Sequence, residues 1–369
     1  MNQISDRRYL IDPYLDWVKS EGVPVTEGFG VDLFTAAVDY WPRFGVRGGA
    51  IHCRGRGDFT SMFLLEIPGG KSTSPQRHLF EEVVYILEGS GSTQLEFRNG
   101  QKRSFEWGPS SLFAIPLNAR YRHFNGRGSE RALMVSTTNA PLVMNTFINP
   151  HFVFESEFDF IERSGKADYY AGDGQMSLLQ TGTHLWETNF VPDIQAIELK
   201  SKEARGASSL NLHFMLADGL MHAHVSEMPS GTYKKGHRHA SGYHVMGLQG
   251  EGFSLMWFDD DEDFLRIDWK HGMVFPPADK QFHQHFNTAG TAARYLATGV
   301  GSNRFPFTTD IRAAMSPAGQ IGKASGATSI KDGGDQIEYE DQDPRIHRMW
   351  LDALARNNVS QKMGKYIKA

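Results

Sequence analysis

Two histidines one residue apart, His237 and His239, end the run Gly231-Thr-Tyr-Lys-Lys-Gly-His237-Arg-His239, and His283-Gln-His285-Phe-Asn287 follows further along the chain. On an extended strand, side chains alternate between faces, so His237 and His239 share one. A third imidazole, His283, arriving from a neighbouring strand completes a facial set of three neutral nitrogen ligands. That set suits a divalent transition metal and leaves positions open for a substrate or dioxygen. The spacing therefore reads as a catalytic metal site. His244 is a possible fourth ligand if a bulge after Ser241-Gly242 reorients its strand, whereas plain alternation puts it on the face opposite Tyr243. His285 either hydrogen-bonds a turn with Asn287 or, with an ordinary pKa near 6.5, moves a substrate proton. His222 and His224 lie on the strand leading into this region; one of them is a candidate to face the pocket, and the expected reading is a half-buried strand histidine.

The elements that must position these residues are short β-type runs broken by Gly, Pro and Asn. One series covers Met62 to Ile67, Val83 to Leu87, Thr93 to Phe97 and Ser111 to Ile115. The other covers Ala223 to Met228, His244 to Leu248, Phe253 to Phe258, Met273 to Phe275 and Ala293 to Thr298. Many short strands between turn signals indicate an all-β sandwich or barrel. The two series are copies. Glu66-Ile-Pro68-Gly-Gly70 recurs as Glu227-Met-Pro229-Ser-Gly231, Gln76-Arg-His78 as His237-Arg-His239, and Gly89 as Gly250, all at one offset. One more residue of offset brings Tyr121-Arg-His123-Phe-Asn125 onto His283-Gln-His285-Phe-Asn287. The expected organisation is an N-terminal extension (1–50), a first barrel (51–150), a bridging segment (151–209), a second barrel (210–305), then a linker and C-terminal helix (306–369). Short helices are expected from Pro13 to Lys19 and after Asp343-Pro344, where a capping residue precedes a proline at the first helical position. Residues 316–336, rich in Gly, Ser, Ala and Lys, read as a linker or surface loop.

A length of 369 residues fits two domains, and 40% apolar residues suffice for packed cores. The net charge of -5 and pI near 6.3 give no reason to expect nucleic acid or an anionic membrane as partner. The lone Cys53 excludes an internal disulfide framework and fits a reducing compartment. With no apolar leader at the start and no apolar run long enough to span a bilayer, the chain reads as soluble and cytoplasmic. Arg238 should point away from the metal into an ion pair, and Asp259 to Asp263 reads as a solvated turn.

Each copy resembles the two-motif signature of the cupin superfamily. Gly70, His78, Glu82 and Gly89, then Pro116, Asn118 and Asn125, stand at its spacings in the first copy. Gly231, His237, His239, Gly250, Pro277, His283 and Asn287 do so in the second. The resemblance covers roughly residues 55–140 and 215–300 and implies an all-β bicupin, two tandem jelly-roll barrels with short helical terminal extensions. In the first copy Gln76 and Tyr121 replace two ligands, so that barrel is expected to be metal-free. In the second, Tyr243 stands where the family has its glutamate, which implies a three-histidine set, with Tyr243 and His285 as candidate catalytic residues. His237-Arg-His239 with Phe282-His283-Gln-His285-Phe-Asn287 is most similar to gentisate 1,2-dioxygenase, its salicylate-cleaving relatives and bacterial bicupins of unassigned function. That resemblance implies Fe(II) and O2 cleaving a hydroxylated aromatic acid or another bidentate anionic small molecule. The alternative is Mn(II), Zn(II) or Ni(II) serving an isomerase, lyase or decarboxylase without O2, and a non-catalytic binding protein is the third reading. Bicupins also imply a homo-oligomer. Arg54, Arg56, Arg77 and Arg294 are candidate clamps for a substrate carboxylate.

Overall fold

A computed structural model describes residues 11–163, 166–179, 182–240, 242–305 and 327–367. The strands pair into two barrels, each made of a large sheet closed by a small one. In the first barrel an eight-stranded sheet is closed by the three strands Gly91–Glu96, Lys102–Trp107 and Arg120–Phe124. In the second a nine-stranded sheet is closed by five, ordered Leu265–Trp269, Gly252–Trp257, Phe282–Asn287, Gly236–His237 and Gln336–Ile337.

The barrels pack through their large sheets, which explains why strands such as Ser61–Ile67 and Ala132–Thr138 are buried along their whole length. Alternate residues of each strand divide between its own lumen and the partner barrel. Leu64, Val83, Val135, Val225, Met246 and Leu296 belong to one apolar cluster spanning both barrels. The Thr137 and Thr298 hydroxyls meet across the same interface at 2.6 Å. His244 shares this outward face of Tyr243–Gln249, opposite Thr298 in the ladder, and both of its ring nitrogens lack a hydrogen-bond partner.

Neither terminal extension is a mere appendage. Within the first fifty residues, Val25–Gly28 and Asp39–Trp41 pair with Val46–Cys53 of the first barrel, while Val31–Asp32 pairs with Met273 and Val274 of the second. The stretch expected only to bridge the barrels also forms strands. Phe190–Val191 returns to pair with Leu112 and Phe113 of the first barrel, and His184–Thr188 runs parallel to Leu210–Leu216 in the second. These runs are too short for a period to show in the sequence.

Residues 306–326 of the expected linker lie outside the described residues. From 327 the chain is structured: Gln336–Ile337 adds a strand beside Gly236–His237, and Gln336 is buried. The terminal helix spans Pro344–Arg356, capped by the Asp343 carboxylate, which accepts from the Arg345 backbone N–H. Its Ile346, Trp350 and Leu354 stripe packs on Tyr233, Phe253 and Phe286, the outer face of the small sheet. No helix among the described residues is long and apolar enough to cross a membrane. Trp350 is fully buried, and its indole N–H donates to the Asn287 carbonyl at 3.0 Å. Trp350→Ala should therefore lower unfolding free energy by roughly 3–5 kcal/mol, read by denaturant titration.

Candidate metal centre

His237 and His283 face each other across one antiparallel ladder rung, which sets their ring centroids 4.2 Å apart. His239 leaves the end of the same strand, with its ring 4.7 Å from that of His283. One ligand nitrogen from each of the three lies within 4.8 Å of the others, the only such group among the described residues. Each imidazole is fixed from behind through Nδ1, which faces a backbone carbonyl: Lys235 for His237 (3.3 Å), Ala240 for His239 (2.8 Å) and Gln281 for His283 (3.1 Å). A proton on Nδ1 leaves Nε2 as the lone-pair nitrogen of each ring, the tautomer a metal ligand needs. Burial lowers all three pKa values, His239 to about 4, so the rings are neutral at pH 7 without any metal. The three residues fit a divalent ion in donor type, tautomer and spacing.

His244 is not brought to this set: its ladder runs regularly from Tyr243 to Gly247, with a register shift only after Gly247, and its imidazole lies between the barrels. Tyr243 is beside the centre, its ring 4.9 Å from His239 and 5.3 Å from His222. Burial pushes the Tyr243 hydroxyl up to about 12, which makes it a hydrogen-bond donor and a poor anionic ligand. The His285 ring is 5.5 Å from His283. Its Nδ1 faces the Ser254 hydroxyl at 2.7 Å, and Ser254 accepts from the Trp269 indole N–H at 3.0 Å.

The first barrel repeats that last arrangement almost atom for atom. His123 Nδ1 lies 2.8 Å from the Thr93 hydroxyl, which accepts from Trp107 Nε1 at 2.9 Å. The shared triad is thus part of the barrel frame, and in the second barrel it also holds His285 beside the centre. Close approach makes this possible: a Cβ on Gly252 would lie 1.9 Å from the Phe286 carbonyl and 2.7 Å from the Trp269 ring. Asn125 and Asn287 match as well, each bridging two carbonyls from its side-chain amide.

In the first barrel the Tyr121 hydroxyl stands between the two surviving motif residues, 3.1 Å from His78 Nε2 and 3.2 Å from Glu82 Oε2. Gln76 turns away to donate to the Arg43 and Ser74 carbonyls. Burial holds His78 neutral, down to about 3, so its 3.6 Å approach to Glu82 is not an ion pair.

Both His222 and His224 face the second lumen, beside Tyr243 and Tyr295, rather than being merely half-buried strand histidines. His222 Nε2 lies 2.7 Å from His224 Nδ1, and His213 from the adjoining strand stacks on His224 at 4.9 Å. His213 was missed because it belongs to no motif, although strand alternation from Leu212 would place it inward. Lys234 and Tyr295 also reach this lumen, joined by a 3.0 Å hydrogen bond. None of the proposed arginine clamps is bound to the centre. Arg294 pairs with Glu227 and with carbonyls of residues 194, 195 and 197. Arg56 caps the Gly57 and Thr60 carbonyls, Arg77 donates to the Asn118 carbonyl, and Arg54 lies over Phe29. Arg238 points outward to Asp335 and Asp259, as its position between two inward histidines requires.

Glu82 supplies a pH test of the degenerate barrel. Desolvation raises its carboxyl from 4.5 to about 7, so the folded protein holds a proton that the unfolded chain has released. The contribution is present in full below pH 4.5 and is lost as pH rises through about 7, amounting to roughly 3 kcal/mol. Glu82→Gln should remove that slope. The stability difference between variant and wild type, followed by denaturant melts from pH 5 to 8, should move in the variant's favour.

No family model matches the sequence, and no curated protein matches it. Among solved structures, a deletion variant of Bacillus subtilis oxalate decarboxylase aligns over 79% of this chain and 82% of that one, with a TM-score of 0.50 at 11% identity. A point variant of the same enzyme gives the same coverage, identity and score. Vicilin from Capsicum annuum aligns over 74% of this chain and 85% of its own, with a TM-score of 0.47 at 11% identity. At this identity the likeness to the decarboxylase shows the fold alone.

Proposed function

We propose that the second barrel is the working half of a divalent-metal-dependent enzyme that acts on an anionic small molecule. The observation that carries this is the buried set His237, His239 and His283, with every Nδ1 turned to a carbonyl. A divalent ion held there would supply Lewis acidity at undiminished charge, since no protein carboxylate belongs to the set. The chain's own residues provide the rest. His285, held through Nδ1 by Ser254, keeps Nε2 without a protein hydrogen bond among the described residues and can accept a substrate proton. Tyr243, neutral beside His239, can donate to a substrate oxygen. Phe275 and Tyr295 flank His285 and limit access of bulk water to it.

Two chemistries fit this frame. The first is non-oxidative, a decarboxylase, lyase or isomerase using Mn(II), Zn(II) or Ni(II). It is supported by the fold shared with oxalate decarboxylase, a protein with Mn(II) centres. The second is Fe(II)-dependent cleavage of a hydroxylated aromatic acid with O2, supported by Tyr243 at the position where a carboxylate would lower the charge of the centre. Protein loaded anaerobically with each metal separates them on a panel of carboxylic and hydroxylated aromatic acids. Turnover without O2 is the expected result. Turnover only with O2 uptake and Fe(II) selects the second chemistry, and none with any metal removes both. His237→Ala should lose metal affinity by about a hundredfold or more in equilibrium dialysis, with turnover falling in step.

A further inference from the structure

The inner wall of the second barrel carries a cation that the metal centre does not explain. Lys234 is 4% exposed. Its ammonium donates to the Tyr295 hydroxyl at 3.0 Å and lies 5.0 Å from the centre of that ring. Among the described residues no carboxylate lies within 4.0 Å of it. Glu227 on the preceding strand is committed to Arg294, and Glu338 to the adjacent Lys235. Desolvation and the nearby Arg205 both hold the Lys234 pKa below the usual lysine range, and Gly206 bridges Lys234 in the backbone. A buried ammonium is costly unless an opposite charge meets it.

The remaining hydrogen-bonding capacity shows what could meet it. Tyr295 accepts from Lys234, so its own hydroxyl proton is free to donate, and the ammonium has used one of three donors. Both groups sit one ring away from the metal ligands. The Tyr295 ring is 4.7 Å from His285, which is 5.5 Å from His283. On the other side His224 lies 6.3 Å from Tyr295, and burial keeps both His224 and His285 neutral. With a divalent ion in the three-histidine set, the lumen would offer two separated positive positions, that ion and Lys234.

We infer that the substrate is a dianion, with one acid group at the three-histidine centre and the second held by Lys234 and the Tyr295 hydroxyl. This rests on the metal-dependent reading above for the first acid group only. Lys234 is then the residue that selects diacids over monoacids.

The test is calorimetric titration with malonate, succinate and glutarate, and with acetate as the monoanion, on Mn(II)-loaded and on metal-stripped protein. At least one diacid should bind Mn(II)-loaded wild type about tenfold or more tighter than acetate, and stripping the metal should shrink that preference. Lys234→Met should bring that diacid to within about threefold of acetate, while Lys234→Arg keeps part of the preference. Should Lys234→Met fail to fold, Tyr295→Phe replaces it, with an expected loss of about threefold for the diacid and none for acetate. Equal binding of diacids and acetate by wild type, or a preference that survives Lys234→Met, overturns the inference. Failure to take up Mn(II) sinks the metal reading, whereas Mn(II) uptake without a Lys234-dependent diacid preference sinks this inference alone.

Discussion

Everything at the candidate centre depends on one rung of antiparallel pairing, His237 opposite His283. A slip of the Gly236–His237 strand by one residue would turn the His237 imidazole outward while His283, held by its pairing with Gly252–Trp257, stayed inward. The rung is held from both sides. Gln336–Ile337 covers the outer edge of the Gly236–His237 strand, and Arg238 ties it to Asp335 with a 2.8 Å ion pair. On the other side, the terminal helix packs behind Phe286 and Tyr233. A strand of two residues has little register preference of its own, so the C-terminal segment supplies it.

The repeat separates what a barrel of this kind needs from what chemistry needs. The hydroxyl–histidine–indole triad and the bridging asparagine are present in both copies, with the same partners and nearly the same distances. They belong to the architecture. Among the described residues the three-nitrogen set occurs once, and in its counterpart a tyrosine hydroxyl stands between a neutral histidine and a carboxyl whose pKa burial raises to about 7. His285 belongs to both categories, a frame residue that stands beside a centre only in the second barrel.

Much of this was legible in the sequence because it is carried by spacing. The i, i+2 histidines, the repeated motifs and the capped terminal helix each follow from a local rule. What escaped depends on several elements at once. Lys234 looks like one of two adjacent surface lysines, and nothing local reveals that Lys235 finds Glu338 while Lys234 turns inward to Tyr295. His213 lies in a strand without a motif. The arginines were plausible clamps by type, yet backbone carbonyls and Glu227 had already claimed several of them. The exchanged strands were invisible because two residues such as Val31 and Asp32 carry no period.

Those exchanged strands have a consequence for the history of the duplication. Val31–Asp32 leaves the first half to complete the second, and Phe190–Val191 completes the first from beyond its own end. Cutting the chain between the copies would leave each half with an open edge and a bare apolar face, a template for aggregation. The two barrels are no longer separable modules. A barrel without the three-histidine set is still needed, because it covers the apolar sheet of the other and takes part in closing it.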